Sequence, residues 1–191
     1  MNRSKAIRWG MAAVAAGCVG SGCVSAGRNE TRAMSPAGRE LLVELLALDL
    51  SSCGRCKGTD RSIEAVVRDL RPIFARAGVD LRFRKTVVRT AEQAVTLRFQ
   101  SSPTVRINGR DVPIELRESP CGDCSRLVAG SPCAVDCRVW AWQGREYTDA
   151  PKGLIVDAIL RGYPSAFQKP PPQTERFELP ENLKRFFAAR S

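Results

Sequence analysis

Histidine is missing from all 191 residues of the chain. Its absence excludes Ser–His and Cys–His nucleophilic pairs, histidine-ligated zinc enzymes and haem carried on an axial histidine, because each needs an imidazole as base or ligand. Aromatic residues are scarce, at 6% of the chain, and no basic run alternates with them to make a stacking platform. The formal charge of +10 therefore reads as arginines spread over solvated faces, among them Arg68, Arg71, Arg76, Arg82, Arg98 and Arg117, and no nucleic-acid partner is expected. Long apolar runs are lacking as well. The mildly hydrophobic stretch Trp9 to Gly22 is too short and too rich in Gly and Ala to span a bilayer.

What precedes and follows that stretch makes it a leader: Arg3, Lys5 and Arg8 come before it and cysteines close it. Ala15-Ala16-Gly17-Cys18 and Gly20-Ser21-Gly22-Cys23 both resemble bacterial lipoprotein boxes, although neither has the usual leucine three residues before the cysteine that would be lipidated. The expectation is a periplasmic protein or a membrane-anchored lipoprotein, touching the membrane only through that lipid; translation from Met34 would instead leave it in the cytoplasm. Residues 1–36 then form a leader or extension, 37–163 one domain long enough to bury a core, and 164–191 a tail. The tail is proline-rich at Lys169-Pro170-Pro171-Pro172, and its end carries Leu183, Phe186 and Phe187 on a short helix that docks on the domain or on a partner. A monomer is expected.

Eight cysteines are present, and their placement carries the chemistry. Cys53-Gly54-Arg55-Cys56 follows the apolar run Leu41 to Leu50, and Ser101-Ser102-Pro103-Thr104 precedes the strand-like Val105-Arg106-Ile107. A CxxC pair is by itself a disulfide staple, half of a metal site or a redox centre. A proline loop at this distance favours the redox reading, because thioredoxin-like folds set an X-Pro bond, often cis, beside their dithiol.

The run Leu41 to Leu50 reads as a strand buried on both faces. From Asp60, taken as N-cap, the positions Ile63, Val66, Val67, Leu70, Ile73, Phe74 and Ala77 recur at helical spacing up to a stop at Gly78, with a kink at Pro72. Val79, Leu81 and Phe83 alternate as a strand, and Thr90 with Gln93 caps a helix over Ala91 to Phe99. Two runs, Val105/Ile107 and Val112/Ile114/Leu116, flank Asn108-Gly109 as a hairpin, and Gln143-Gly144 marks a second. Pro151 opens a last core helix bearing Leu154, Ile155, Ala158 and Ile159. The order β, α, β, α, Pro, β, β, insert, α predicts an α/β domain of thioredoxin-like, three-layer type with a mixed sheet and a cysteine-rich insert over 118–148 before the last core helix; the crossover rule makes the first two strands parallel neighbours.

In the redox reading Cys53 attacks, with Arg55, Lys57 and a helix N-terminus lowering its pKa, and Cys56 resolves the mixed disulfide. Pro103 presents backbone groups to the substrate, and Asp49 either relays a proton or bonds a loop amide. The Trp before the first cysteine and the Pro between the two, usual in thioredoxins, are both lacking. With Gly58 where a helix should be running, the helix is expected to begin at Asp60 and leave the dithiol on a loose loop. Cys121-Gly122-Asp123-Cys124 and Cys133-Ala134-Val135-Asp136-Cys137 are spaced for a zinc site of four thiolates (Cys121, Cys124, Cys133, Cys137) or for two disulfides. Trp140 and Trp142 beside them read as packing.

With these motifs the stretch Leu41 to Tyr163, through LDLSSCGRCKGTD, SSPTVRINGRD, ESPCGDC, VDCRVW and PKGLIVDAIL, resembles a bacterial family known as domain of unknown function 2703 (DUF2703). The resemblance implies a thioredoxin-like fold and no particular activity. Three functions stay open: a thiol–disulfide oxidoreductase acting on a protein or small thiol or disulfide substrate, a non-enzymatic thiolate protein for zinc or a soft metal ion, and a binding module whose cysteines are structural.

Overall fold

The computed structural model describes residues 39–112, 115–128, 135–168 and 176–190. The expected leader over 1–36, Cys133 and the prolines 170–172 of the tail lie outside the described residues.

The leucine-rich run forms strand β1 (Arg39–Ala47). Its burial alternates at first, with Leu41, Val43 and Leu45 wholly inside and Leu42 and Glu44 half-buried, and only at Leu45 to Ala47 are both faces covered. The strand stops at Ala47, three residues before the expected end, because the next backbone groups find partners outside the ladder. The Leu48 N–H donates to Ser102 Oγ at 3.0 Å, and the Asp49 carboxylate gathers the following amides into a turn. Helix α1 (Gly54–Arg76) then begins directly after Cys53, its N-cap, and runs through Pro72.

The helix start corrects the sequence reading, which placed it at Asp60. Gly58 is part of the helix, and it is glycine because a Cβ there would lie 2.9 Å from Asp149 Cβ. The loop at Asp149 and Ala150 presses against this turn, and the Ala150 N–H donates to the buried Thr59 Oγ1 at 3.0 Å. Asp60 caps nothing; its carboxylate pairs with Lys85 at 2.8 Å.

Strand β2 (Val79–Val87) lies parallel to β1, as the crossover rule requires. The Thr90 capping box opens α2 (Ala91–Thr96), with the Gln93 N–H donating to Thr90 Oγ1 and the Arg89 N–H donating to Gln93 Oε1. The Ser102–Pro103 bond is cis. After it, β3 (Thr104–Ile107) pairs antiparallel with β1, and β4 (Arg110–Val112) with β3, giving a sheet of order β2-β1-β3-β4. Asn108 and Gly109 both have positive φ, 48° and 78°, as a two-residue hairpin of this sequence demands. β4 is described to Val112; of its expected continuation, Ile114 lies outside the described residues and Leu116 is not in a strand.

The insert builds a second, three-stranded sheet from β5 (Arg117–Pro120), β6 (Asp136–Trp142) and β7 (Arg145–Tyr147), with the short helix α3 (Gly122–Arg126) between β5 and β6. Its second hairpin turns at Gln143-Gly144, both again at positive φ. Helix α4 (Lys152–Gly162) follows Pro151 and continues into a 3-10 turn (Tyr163–Phe167).

Two apolar clusters divide the interior. One joins Leu41, Val43 and Leu45 to α1, β2, Trp140 and α4. The other sits at the end of β1 and contains the described cysteines together with Val88, Ala94, Phe99 and, from the tail, Leu179 and three residues of one helix. Those three, Leu183, Phe186 and Phe187, lie on α5 (Glu181–Ala188), and Asn182 bonds both the N–H and the C=O of Asp136. The tail helix thus docks on the domain itself. Among the described residues no helix is long and apolar enough to cross a membrane.

Phe186 is fully buried against the cysteine cluster. Phe186→Ala is expected to cost about 3–5 kcal/mol in urea unfolding and to raise the rate at which an aromatic disulfide reagent titrates the thiols; an unchanged titration rate would mean that α5 does not seal them.

Candidate thiolate site

The residues between the paired cysteines explain how the site assembles. Gly54 and Arg55 belong to the first turn of α1, whose backbone N–H groups have no partner within the helix. The Gly54 N–H donates to Asp123 Oδ2 of the insert at 2.7 Å, and a Cβ at Gly54 would stand 3.3 Å from that oxygen. Arg55 reaches across to the insert with its whole guanidinium: Nη1 donates to the Ser119 carbonyl at 3.2 Å, to Ser119 Oγ at 3.1 Å and to the Cys137 carbonyl at 3.3 Å, and Nη2 donates to the Pro120 carbonyl at 2.8 Å. The expected role of Arg55 as a charge on the Cys53 thiol is replaced by this clamp. On the far side, the Arg138 N–H donates to the Ser102 carbonyl at 2.7 Å, tying β6 to the proline loop.

The clamp brings together two motifs of the same form. Cys53-Gly54-Arg55-Cys56 starts α1 with Cys53 as N-cap, and Cys121-Gly122-Asp123-Cys124 starts α3 with Cys121 as N-cap. Their sulfurs meet. Cys53, Cys121 and Cys124 place all three Sγ atoms within 4.8 Å of one another, with Cys53 Sγ and Cys124 Sγ 3.8 Å apart. Cys56 and Cys137 belong to the same buried cluster, and all five described cysteines are free thiols. What the sequence presents as a dithiol and a separate cysteine-rich lobe is one site of five sulfurs. Cys133, the remaining expected ligand, lies outside the described residues.

Cys56 Sγ stands 3.4 Å from Ser102 Oγ, which also accepts from the Leu48 N–H, so the residue before Pro103 braces the dithiol against the end of β1. Cys124 and Cys53 beside it pull the Cys56 thiol down to about 4, overcoming the opposing effect of its burial. The Cys121 thiol is pushed down by the neighbouring Cys124, Cys137 and Cys53. Cys53, Cys124 and Cys137 are pushed up, in each case chiefly by Cys121. The expected lowering of the Cys53 pKa is thus opposed by its sulfur neighbours.

Asp49 faces its own loop. Its carboxylate accepts from the Ser51 N–H at 3.0 Å, from both hydroxyls at 2.6 Å, from the Ser52 N–H at 2.7 Å and from the Cys53 N–H at 2.8 Å. Burial alone would raise its pKa, but these donors outweigh burial and hold the carboxyl well below its usual range. The loop-amide alternative describes Asp49: it shapes the approach to Cys53 through the backbone. Sequence reasoning missed Ser102, Asp123 and Asn182 as parts of the site. The repeated C-G-x-C form was the one visible signal, and it was read as two separate features.

An α/β domain with a buried group of thiols able to bind metal or to be redox-active is the class that this fold and site define. The chain belongs to the family described as domain of unknown function (DUF2703), whose model matches residues 41–159. No curated protein and no solved structure matches the chain. Helix α5, which shares the apolar cluster of the cysteines, lies beyond the matched residues.

Two predictions follow from the local bonding. Arg55→Met strands the carbonyls of Ser119, Pro120 and Cys137 at a cost of about 1–3 kcal/mol, and faster amide exchange across β5 and β6 than in the wild type is the expected readout; unchanged exchange there would contradict the clamp. Because the folded pKa of Asp49 is depressed, its carboxylate stabilises the fold above the unfolded pKa of about 3.9, and that stability is lost as the pH falls below it. Asp49→Asn is expected to be less stable than wild type at pH 7, with a gap that narrows at pH 3; a gap of constant size would contradict the assignment.

Proposed function

We propose that this domain holds a thiophilic metal ion on the thiolates of Cys53, Cys121 and Cys124, in a fold of thioredoxin-like type. The observation that carries the reading is the mutual approach of the three sulfurs to within 4.8 Å inside the protein. Two sulfurs bonded to one tetrahedral ion at about 2.3 Å stand about 3.8 Å apart, and Cys53 Sγ and Cys124 Sγ have that separation. Cys137 interacts with both Cys121 and Cys124 and would supply the fourth sulfur that zinc takes. An all-sulfur donor set, in a chain without histidine, suits zinc or a softer ion such as copper(I), mercury or arsenite. Support for the thioredoxin-like type comes from the strand order β2-β1-β3-β4, a helix that starts at the dithiol and a Ser102–Pro103 loop that faces it.

Thiol–disulfide exchange is the second reading. Cys53 would attack a substrate sulfur, Cys56 would resolve the mixed disulfide, and Pro103 would present backbone groups to an extended chain. The position of Cys56 beside Ser102 favours it. Access weighs against it. The attacking thiolate must meet its partner in line, and Cys53 is 0% exposed within the apolar cluster, which leaves no room for a polypeptide.

The test is a titration of the reduced full chain with Zn2+ against a chromophoric chelator. One ion per chain is expected, with Cys53→Ser, Cys121→Ser and Cys124→Ser each weakening it about a hundredfold or more. Absence of any bound ion, together with rapid catalytic reduction of insulin, would overturn the metal reading in favour of the second.

A further inference from the structure

One residue serves two pairings in this site. Cys53 is a member of the three-sulfur group with Cys121 and Cys124, and it is also the first cysteine of the C-G-R-C turn. Cys56 stands outside that three-sulfur group, yet it lies one turn along α1, fully buried, with its backbone N–H 3.5 Å from Cys53 Sγ. A sulfur held there can take Cys53 away from an ion without taking anything else. We propose that Cys56 is a redox release switch: formation of a Cys53–Cys56 disulfide withdraws the Cys53 ligand and expels the metal ion, and reduction restores the site. The proposal rests on the metal reading above and adds its regulation.

The step balances with a peroxide as two-electron oxidant. The Cys53 thiolate attacks one oxygen of hydrogen peroxide, the O–O bond breaks, and hydroxide leaves behind a sulfenic acid. The Cys56 thiolate then attacks the Cys53 sulfur. The S–S bond forms, the S–O bond breaks and a second hydroxide departs. Two thiolates have lost two electrons, and one peroxide has become two hydroxide ions, protonated to water. Cys121, Cys124 and Cys137 remain, all on the insert, and the ion loses the Cys53 bond that joined α1 to α3. A molecule as small as peroxide reaches buried sulfurs through local opening, whereas a polypeptide needs α5 displaced.

The surrounding bonds suit a switch that changes the ion's ligands and leaves the scaffold standing. Gly54 holds Asp123 through its backbone N–H, and Arg55 holds Ser119, Pro120 and Cys137 through its guanidinium. None of these contacts uses a sulfur atom. The insert therefore stays docked on α1 whether Cys53 bonds to a metal or to Cys56, and the emptied site is ready to reload on reduction. Linkage makes the effect reciprocal: an ion that prefers the dithiol protects Cys53 from oxidation by the same factor.

The experiment loads the reduced full chain with Cd2+, follows the thiolate-to-cadmium absorbance after addition of hydrogen peroxide, and maps the disulfides by mass spectrometry. Loss of Cd2+ in step with a Cys53–Cys56 linkage, and reloading after dithiothreitol, are expected. Cys56→Ser should bind Cd2+ in the wild-type stoichiometry, which also reports that its site has formed, and should release it at least tenfold more slowly under peroxide. Cd2+ retained by molecules that carry the Cys53–Cys56 bond, release from Cys56→Ser as fast as from wild type, or a first disulfide between Cys121 and Cys124 would each overturn the switch. Failure of the reduced wild type to take up Cd2+ would overturn the metal reading itself, and the switch with it.

Discussion

The contact between the first turn of α1 and the cysteine-rich insert is the constraint from which the rest of this structure follows. A five-residue helix between short strands cannot bury enough apolar surface to hold its own position. Arg55 solves that problem with one side chain, satisfying carbonyls of both β5 and β6, while the Gly54 amide takes the Asp123 carboxylate. Once the insert is fixed there, Cys121 and Cys124 have no other direction to face than toward Cys53. The sulfur group is thus a product of hydrogen bonding by the two residues that separate the cysteines of the dithiol.

Burial completes the environment. The end of β1, α2 and the tail helix α5 enclose the sulfurs in one apolar cluster, and the Ser102–Pro103 loop closes the side on which β3 begins. An ion in such a place is shielded from water, and its thiolate ligands are sheltered from large competing thiols. The neighbouring thiols and burial push the Cys53 thiol up, against the partial positive charge of the α1 N-terminus. A crowded, enclosed group of sulfurs of this kind is suited to holding a cation more than to meeting a protein substrate.

Much of the scaffold was legible in the chain. The periodicity of Ile63 to Phe74, the Thr90 capping box, and the Asn108-Gly109 and Gln143-Gly144 turns carry their structural meaning locally, and each appears where local physics puts it. The helix start was not legible, because Gly58 signals a break unless the approach of Asp149 is known, and that approach spans ninety-one residues of sequence. The same limit hid the site. Cys53 and Cys124 are seventy-one residues apart, and spacing rules group cysteines by sequence neighbourhood. Arg55 illustrates the cost: beside a cysteine it reads as a charge for the thiol, whereas its length lets it serve carbonyls on another sheet. The strand-end Asp49 was open to two readings, and five hydrogen bonds to its own loop distinguish them.

Two C-G-x-C turns converging on one point is the arrangement on which the chemistry proposed for this DUF2703 domain rests. The central claim is that a single ion draws ligands from both turns, and X-ray absorption of the zinc-loaded full chain tests it most directly. The account predicts a first shell of sulfur alone at about 2.3 Å, with one sulfur lost in Cys53→Ser and one lost in Cys124→Ser. A shell containing nitrogen or oxygen in the wild type, or one that Cys53→Ser leaves unaltered, would contradict it.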